Sequence, residues 1–196
     1  MFIELTDHLR CPADHEESYL VLLPDRMEDR SVLEGRLGCP VCGRTYSLVE
    51  GVLDLGGEIP PTPASTLLEP EPLTALVGLS GPGGYLVLVG RPAGRWREVA
   101  ELNPGVGLVA VNPGPEVVDA PGISLLRGGS LPLKSRSMRG VVLGSPYGSD
   151  PRWVADGARV VLPGLRVAGE GRVPESAAID LMASAGGVWV GTPRRR

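Results

Sequence analysis

The chain has 196 residues, 42% hydrophobic content and a net charge of −4, which excludes general disorder and leaves room for a ribbon-sized module beside one compact domain. Glycine (28) and proline (20) are abundant and aromatics make up only 4%, so short elements and many turns are expected, with Val, Leu and Ala filling the core. No apolar run approaches the roughly 18 residues of a membrane span, and the basic residues, Lys134 and eighteen scattered arginines, form no single patch.

Charge is unevenly placed. Residues 1–59 carry twelve acids and five arginines, a net −7, whereas residues 60–196 carry eleven acids and fourteen bases, a net +3. An acidic first segment argues against a module that grips nucleic acid through its phosphates. It is compatible with docking on a more basic surface, including the chain's own second half, or with acids that keep a small module soluble. The start, Met1-Phe2-Ile3-Glu4-Leu5-Thr6-Asp7, lacks the basic beginning and apolar centre of a secretory leader. Three cysteines in knuckle spacing fit a reducing cytoplasm better than a disulfide framework.

Residues 5–10 lead into Cys11-Pro12-Ala13-Asp14-His15. Residues 19–23 read as a strand closed by Pro24-Asp25, residues 26–34 as polar loop or a short helix, and residues 34–38 feed Cys39-Pro40-Val41-Cys42-Gly43-Arg44. Residues 45–49 and 51–55 are short strands on either side of a Glu50-Gly51 turn. Segment 1–56 is thus a ribbon with too little apolar area to fold alone, stapled by a metal. Residues 57–65, rich in Gly and Pro, are an extended linker.

Residues 66–196 alternate. A helix starting at Ser65 or Thr66 is interrupted by Pro70 and Pro72; strands are expected at 85–89, 106–111, 123–126, 138–143, 166–168 and 188–190. Helices are expected at 93–102, at 151–157, ending near 158–162, and at 175–185. Continuous apolar runs suit strands buried on both faces, and the alternation predicts an open, mostly parallel α/β sheet.

Leu9-Arg10-Cys11-Pro12, the strand around Leu20, Leu37, Cys39-Pro40, Cys42-Gly43-Arg44, Tyr46 and Gly51-Val52-Leu53-Asp54-Leu55 resemble a small zinc-ribbon family that activates tRNA- and protein-modifying methyltransferases. The same ribbon occurs fused in front of SAM-dependent methyltransferases. The second half is similar to class I SAM-dependent methyltransferases, through the strand, loop and helix at 85–102, Val109-Ala110-Val111-Asn112-Pro113, the loop Arg127-Gly128-Gly129-Ser130-Leu131-Pro132 and the segment 159–167. The two resemblances imply an N-terminal zinc ribbon followed by a shortened Rossmann-like (class I methyltransferase) open sheet. With a single strand expected after residue 175, that sheet comes out one or two strands short of the usual seven.

A Cys-Pro-x-Cys-Gly turn points two thiolates at one metal, and its Gly lets backbone N–H groups face the sulfurs. Cys11, Cys39 and Cys42 supply three ligands. The family's fourth cysteine falls on Asp14, with His15 beside it; either could complete a tetrahedron, and His15 is the better zinc ligand. A closed four-ligand zinc is structural and activates no water. The alternative is a metal-free ribbon whose cysteines are small buried residues. His8 reads as a packing or solvated histidine.

For the cofactor, the resemblance points to Gly90, Gly94, Asn112 and Gly129 as SAM-contacting positions. Gly90 and Gly94 keep glycines of the first loop, but Arg91 and Pro92 replace its centre. Asn112 stands where a ribose-binding acid is expected, and an amide cannot match a carboxylate that takes two hydroxyls. Gly129 stands where another acid is expected. Three departures at one site make SAM binding doubtful. Gly144-Ser145-Pro146-Tyr147 occupies the place of an amine-binding turn but reads as a plain loop. No His or Cys follows Cys42 to act as a nucleophile or its base, and Arg194-Arg195-Arg196 reads as a frayed, solvated tail.

The expected function is that of a non-catalytic, methyltransferase-like scaffold or regulatory partner. It would bind a protein partner or a second copy through the ribbon or a sheet edge, as by strand addition. The rival reading is an active SAM-dependent methyltransferase with an atypical pocket.

Overall fold

The computed structural model describes residues 1–174 and 178–194. Its strands are β1 (Val21–Glu28), β2 (Ser31–Gly38), β3 (Thr45–Val49), β4 (Val52–Asp54), β5 (Tyr85–Val89), β6 (Gly107–Val111), β7 (Ile123–Arg127), β8 (Met138–Leu143), β9 (Val161–Glu170), β10 (Ile179–Ala185) and β11 (Val188–Pro193). The helices are α1 (Pro70–Val77), α2 (Trp96–Leu102) and α3 (Pro151–Val160). All the strands join one sheet in the order β1-β2-β3-β4-β7-β6-β5-β8-β9-β11-β10.

The ribbon is the antiparallel meander β1 to β4. Residues 26–34, expected as loop or helix, are instead the end of β1, a turn with Asp29 at φ 52°, and the start of β2. Pro24 does not stop β1, because β1 is an edge strand whose outer N–H row has no partner to lose, and register shifts follow at Pro24, Arg26 and Met27. Glu50-Gly51 turns with both φ positive (50° and 75°), as a tight two-residue hairpin requires.

The strand addition expected toward a partner takes place within the chain. β4 pairs in parallel with β7, matching Val52 to Leu125, Leu53 to Leu126 and Asp54 to Arg127. Leu5, Leu9, Leu37, Leu48 and Leu53 of the ribbon are fully buried in the same apolar cluster as Val87, Val109, Leu131 and Met138 of the second half. Burial of a Leu contributes about 1.5–3 kcal/mol, so the ribbon draws its core from the α/β sheet as well as from itself. Charge adds ties of both signs: Glu17 accepts from the Ser135 hydroxyl at 2.6 Å, and Arg10 lies 3.9 Å from Asp156.

β4, β7, β6, β5, β8 and β9 are mutually parallel, while β11 runs antiparallel between β9 and β10. Their apolar runs are buried on both faces, as in β5, where Leu86, Val87, Leu88 and Val89 are all inaccessible. The helix expected over 175–185 is corrected: residues 175–177 lie outside the described residues, and Ile179–Ala185 is strand β10. Helix-tolerant Leu, Met and Ala lose to pairing with β11 through a two-residue Gly186-Gly187 turn, φ 59° and 78°. The α/β half therefore has seven strands, β5 to β11. Its shortening lies in the crossovers, since residues 112–122 and 128–137 contain no helix.

α1 begins at Pro70 rather than near Ser65. Pro70 and Pro72 sit in the first turn, where the missing N–H has no intrahelical partner to lose. Gly78 ends it at φ 62°, and Arg166 donates to the Leu76 carbonyl at 3.1 Å. α3 is capped by Asp150, which accepts from the Arg152 N–H, and runs to Val160. Arg194 is held rather than frayed: its N–H donates to the Ala178 carbonyl and its Nε to Asp180, both at 2.9 Å. Residues 195–196 lie outside the described residues.

Candidate metal centre and the crevice at the strand ends

The metal candidate is built by two turns. In the second knuckle the Cys39 N–H donates to the Arg44 carbonyl and the Gly43 N–H to the Cys39 carbonyl, curling the chain around the sulfur. In the first, the Cys11 N–H donates to the Ser18 carbonyl and closes a loop that carries His15. One ligand atom each from Cys11, His15, Cys39 and Cys42 lies within 4.8 Å of all the others. Cys11 Sγ is 3.7 Å from Cys42 Sγ, and Cys39 Sγ is 3.4 Å from His15 Nε2. Around a tetrahedral zinc with bonds of about 2.0–2.3 Å, such edges measure roughly 3.5–3.8 Å. The donor set fits the metal. Asp14 is exposed and outside this cluster.

The surroundings suit metal ligation too. His15 Nδ1 sits 2.6 Å from the Glu16 carbonyl, which turns Nε2 inward as the free donor. Tyr46, buried, lies with its hydroxyl 3.2 Å from Cys11 Sγ. Burial pushes the Cys39 thiol up, but the N–H groups of Cys42 and Val41 together with the neighbouring thiols outweigh it and bring it down to about 6. For Cys11, burial is likewise outweighed, by the Tyr46 hydroxyl and the Ala13 backbone, so its thiol is also lowered. His8 is half-buried, edge-on to Tyr85 at 5.3 Å between ring centroids, and belongs to packing.

Three of the four expected cofactor positions meet at the carboxyl ends of the parallel strands: Gly90 after β5, Asn112 after β6 and Gly129 after β7. Gly94 is exposed on a 3-10 turn (Arg91–Arg95), where the Glu116 carboxylate approaches it. Gly90 holds φ 74°, and a Cβ there would lie 2.9 Å from the Tyr147 ring and 3.6 Å from the Thr62 methyl. Asn112 is buried, with φ 51°, and both ends of its carboxamide are used: Nδ2 donates to the Gly128 carbonyl at 2.8 Å, and Oδ1 accepts from the Gly128 N–H at 2.9 Å. The Gly129 N–H donates to the Gly56 carbonyl at 2.9 Å.

Two residues missed in sequence complete this edge. Glu170 closes β9 with 2% exposure. One of its oxygens accepts from the Thr66 hydroxyl and the N–H groups of Leu67 and Leu68, the other from the Ser145 N–H at 2.8 Å. A lone acid after the apolar Val167-Ala168-Gly169 was the available signal. Tyr147, expected in a plain loop, is fully buried, packs edge-on against Trp153 at 4.6 Å, and leaves its hydroxyl without a partner. Two cavities among the described residues lie away from this edge. One is beside Tyr19 in the ribbon; the other, about 350 Å³, is an apolar groove between α1 and the β10–β11 hairpin.

No known family and no curated protein matches the chain. Solved structures with partial likeness include a geranyl diphosphate methyltransferase in complex with GPP and sinefungin (18% identity, TM-score 0.42, 50% of this chain and 42% of that one). Another is the complex of the Haloferax volcanii Trm112 methyltransferase activator with a putative methyltransferase (18%, TM-score 0.37, 46% and 45%). A third is the antibiotic-resistance methyltransferase Kmr (13%, TM-score 0.43, 65% and 94%). The match spans less than half the length of the first two. The mixed α/β sheet resembles the class I methyltransferase fold in the order β7-β6-β5-β8-β9-β11-β10 of its second half, where β11 alone among those seven strands is reversed.

Proposed function

We infer that the chain is a non-catalytic, methyltransferase-like protein that acts by binding, as a scaffold or regulatory partner in the cytoplasm. A structural zinc on Cys11, His15, Cys39 and Cys42 would hold its knuckles together; four protein ligands leave no open position for chemistry. The observation that carries the reading is Asn112, whose carboxamide is held at both ends by Gly128, so that an oriented amide stands where a ribose would need a carboxylate accepting from two hydroxyls. With β4 spent on β7, a partner strand finds only the outer sheet edges. Both edges expose apolar side chains, Val21 and Leu23 on β1 and Leu181 and Met182 on β10, but β1 is broken by Pro24 and charged at Asp25, Arg26 and Glu28, which leaves β10 the edge better suited to strand addition. Nucleic acid is not the expected partner of an acidic ribbon.

Calorimetric titration with SAM and with its demethylated product tests this. No measurable heat at millimolar ligand is expected; micromolar binding would sink the reading. The rival, an active methyltransferase with an atypical pocket, draws on Tyr147, whose buried hydroxyl lacks a partner next to the retained Gly90.

A further inference from the structure

The linker between the ribbon and α1 crosses the carboxyl edge of the sheet in the order of the strands. At β7, Gly56 accepts from Gly129, and a Cβ on Gly57 would come within 2.9 Å of the Gly129 nitrogen. At β5, the Thr62 methyl faces Gly90, and Arg91 Nε donates to the Pro63 carbonyl at 2.7 Å while its Nη1 bonds Glu116. At β8 and β9, Thr66, Leu67 and Leu68 surround the Glu170 carboxylate together with Ser145. The path from β4 to β9 is five strand spacings, roughly 24 Å at about 4.8 Å each. Residues 55–66 reach about 34 Å as Pro-rich extended chain at about 3.1 Å per residue, enough to cross the whole of that edge.

We propose that residues 56–68 are a permanent internal occupant of the crevice in which this fold would otherwise hold a nucleoside cofactor. The proposal rests on the non-catalytic reading and names what fills the site instead. Three of the departures from a SAM site have a partner within the chain: Arg91 grips the linker carbonyl, Asn112 locks β6 to β7, and Gly129 leaves room for Gly57. Gly129, Ser145, Leu67 and Leu68 spend their N–H groups on the chain itself. Lifting the linker would strip three of four donors from a carboxylate that is 2% exposed, and buried charges are not left unpaired.

Amide hydrogen exchange on the full chain as purified, with and without millimolar SAM, tests the occupancy. The amides of Gly129, Ser145, Leu67 and Leu68 are expected to be protected at least about 100-fold over free chain, unchanged by SAM. Glu170→Gln keeps the side-chain shape but removes the charge, and should lower protection at Leu67, Leu68 and Ser145 by about tenfold while leaving β5 and β6 protected. Free-chain exchange at those four amides overturns the occupancy and leaves the scaffold reading standing. SAM binding that abolishes their protection makes the linker a displaceable lid and overturns both. SAM binding with protection intact leaves the occupancy standing and overturns only the non-catalytic reading.

Discussion

The knuckles and the crevice are both gatherings of polar groups, and they differ in what those groups still have to give. At Cys11, His15, Cys39 and Cys42 the donor atoms converge and the second ring nitrogen of His15 is tied back to Glu16, so lone pairs point at a common centre. At the strand ends, Asn112, Gly129, Ser145 and Glu170 converge too, but each bonds another part of the same chain. Proximity alone therefore does not define a site; unspent bonding capacity does.

Cys39→Ser should break the first half of this comparison outright, taking bound zinc from one per chain to near zero by elemental analysis, because three ligands hold a structural zinc poorly. Glu170→Ala breaks the second half: Thr66, Leu67, Leu68 and Ser145 lose their acceptor, and chemical denaturation should register a loss of at least about 3 kcal/mol. Next in size, Asn112→Asp sets a carboxylate against the Gly128 carbonyl and should destabilise by about 2 kcal/mol at neutral pH. That aspartate's folded pKa would rise above its ordinary value of about 3.9, so the variant recovers as pH falls through the raised value and its proton restores the donor. Although it supplies the acid a ribose would want, it should gain no SAM binding while the linker stays seated; a micromolar site in the titration, with amide protection lost at Gly129, Ser145, Leu67 and Leu68, would refute the occupancy.

The smaller effects sharpen the metal side. His15→Ala should weaken zinc about 100-fold or more in a chelator competition, while Asp14→Ala leaves affinity within about twofold. Tyr46→Phe removes the hydroxyl beside Cys11 and should cost about tenfold in zinc affinity with the ligands intact. Equal affinity in Tyr46→Phe would mean that the contact is packing only.

Much of the fold was legible because its signals are local. The short apolar runs at 85–89, 107–111 and 138–143, bounded by Gly and Pro and rich in Val, fit doubly buried strands better than helices, which need more length. Cys-x-x-Cys spacing and the Glu50-Gly51 turn are set by a few adjacent residues. β10 escaped because Leu, Met and Ala suit helix and strand alike, and its pairing with β11 is decided by Gly186-Gly187 beyond its end. Pro70 and Pro72 looked like helix breakers until the helix started at them.

By itself the sequence determined which residues could ligate a metal, which segments had to be buried, and that three positions depart from the SAM-binding pattern of the family it resembles. The tertiary structure alone decided that β4 is spent on β7, that His15 rather than Asp14 faces the thiols, and that Gly56 and Thr66–Leu68 bond to Gly129 and Glu170 at the carboxyl edge of the sheet. These are contacts between residues up to about a hundred positions apart, such as Thr66 and Glu170. No local propensity encodes them, because they arise only when the sheet has assembled and brought its carboxyl edge under the linker.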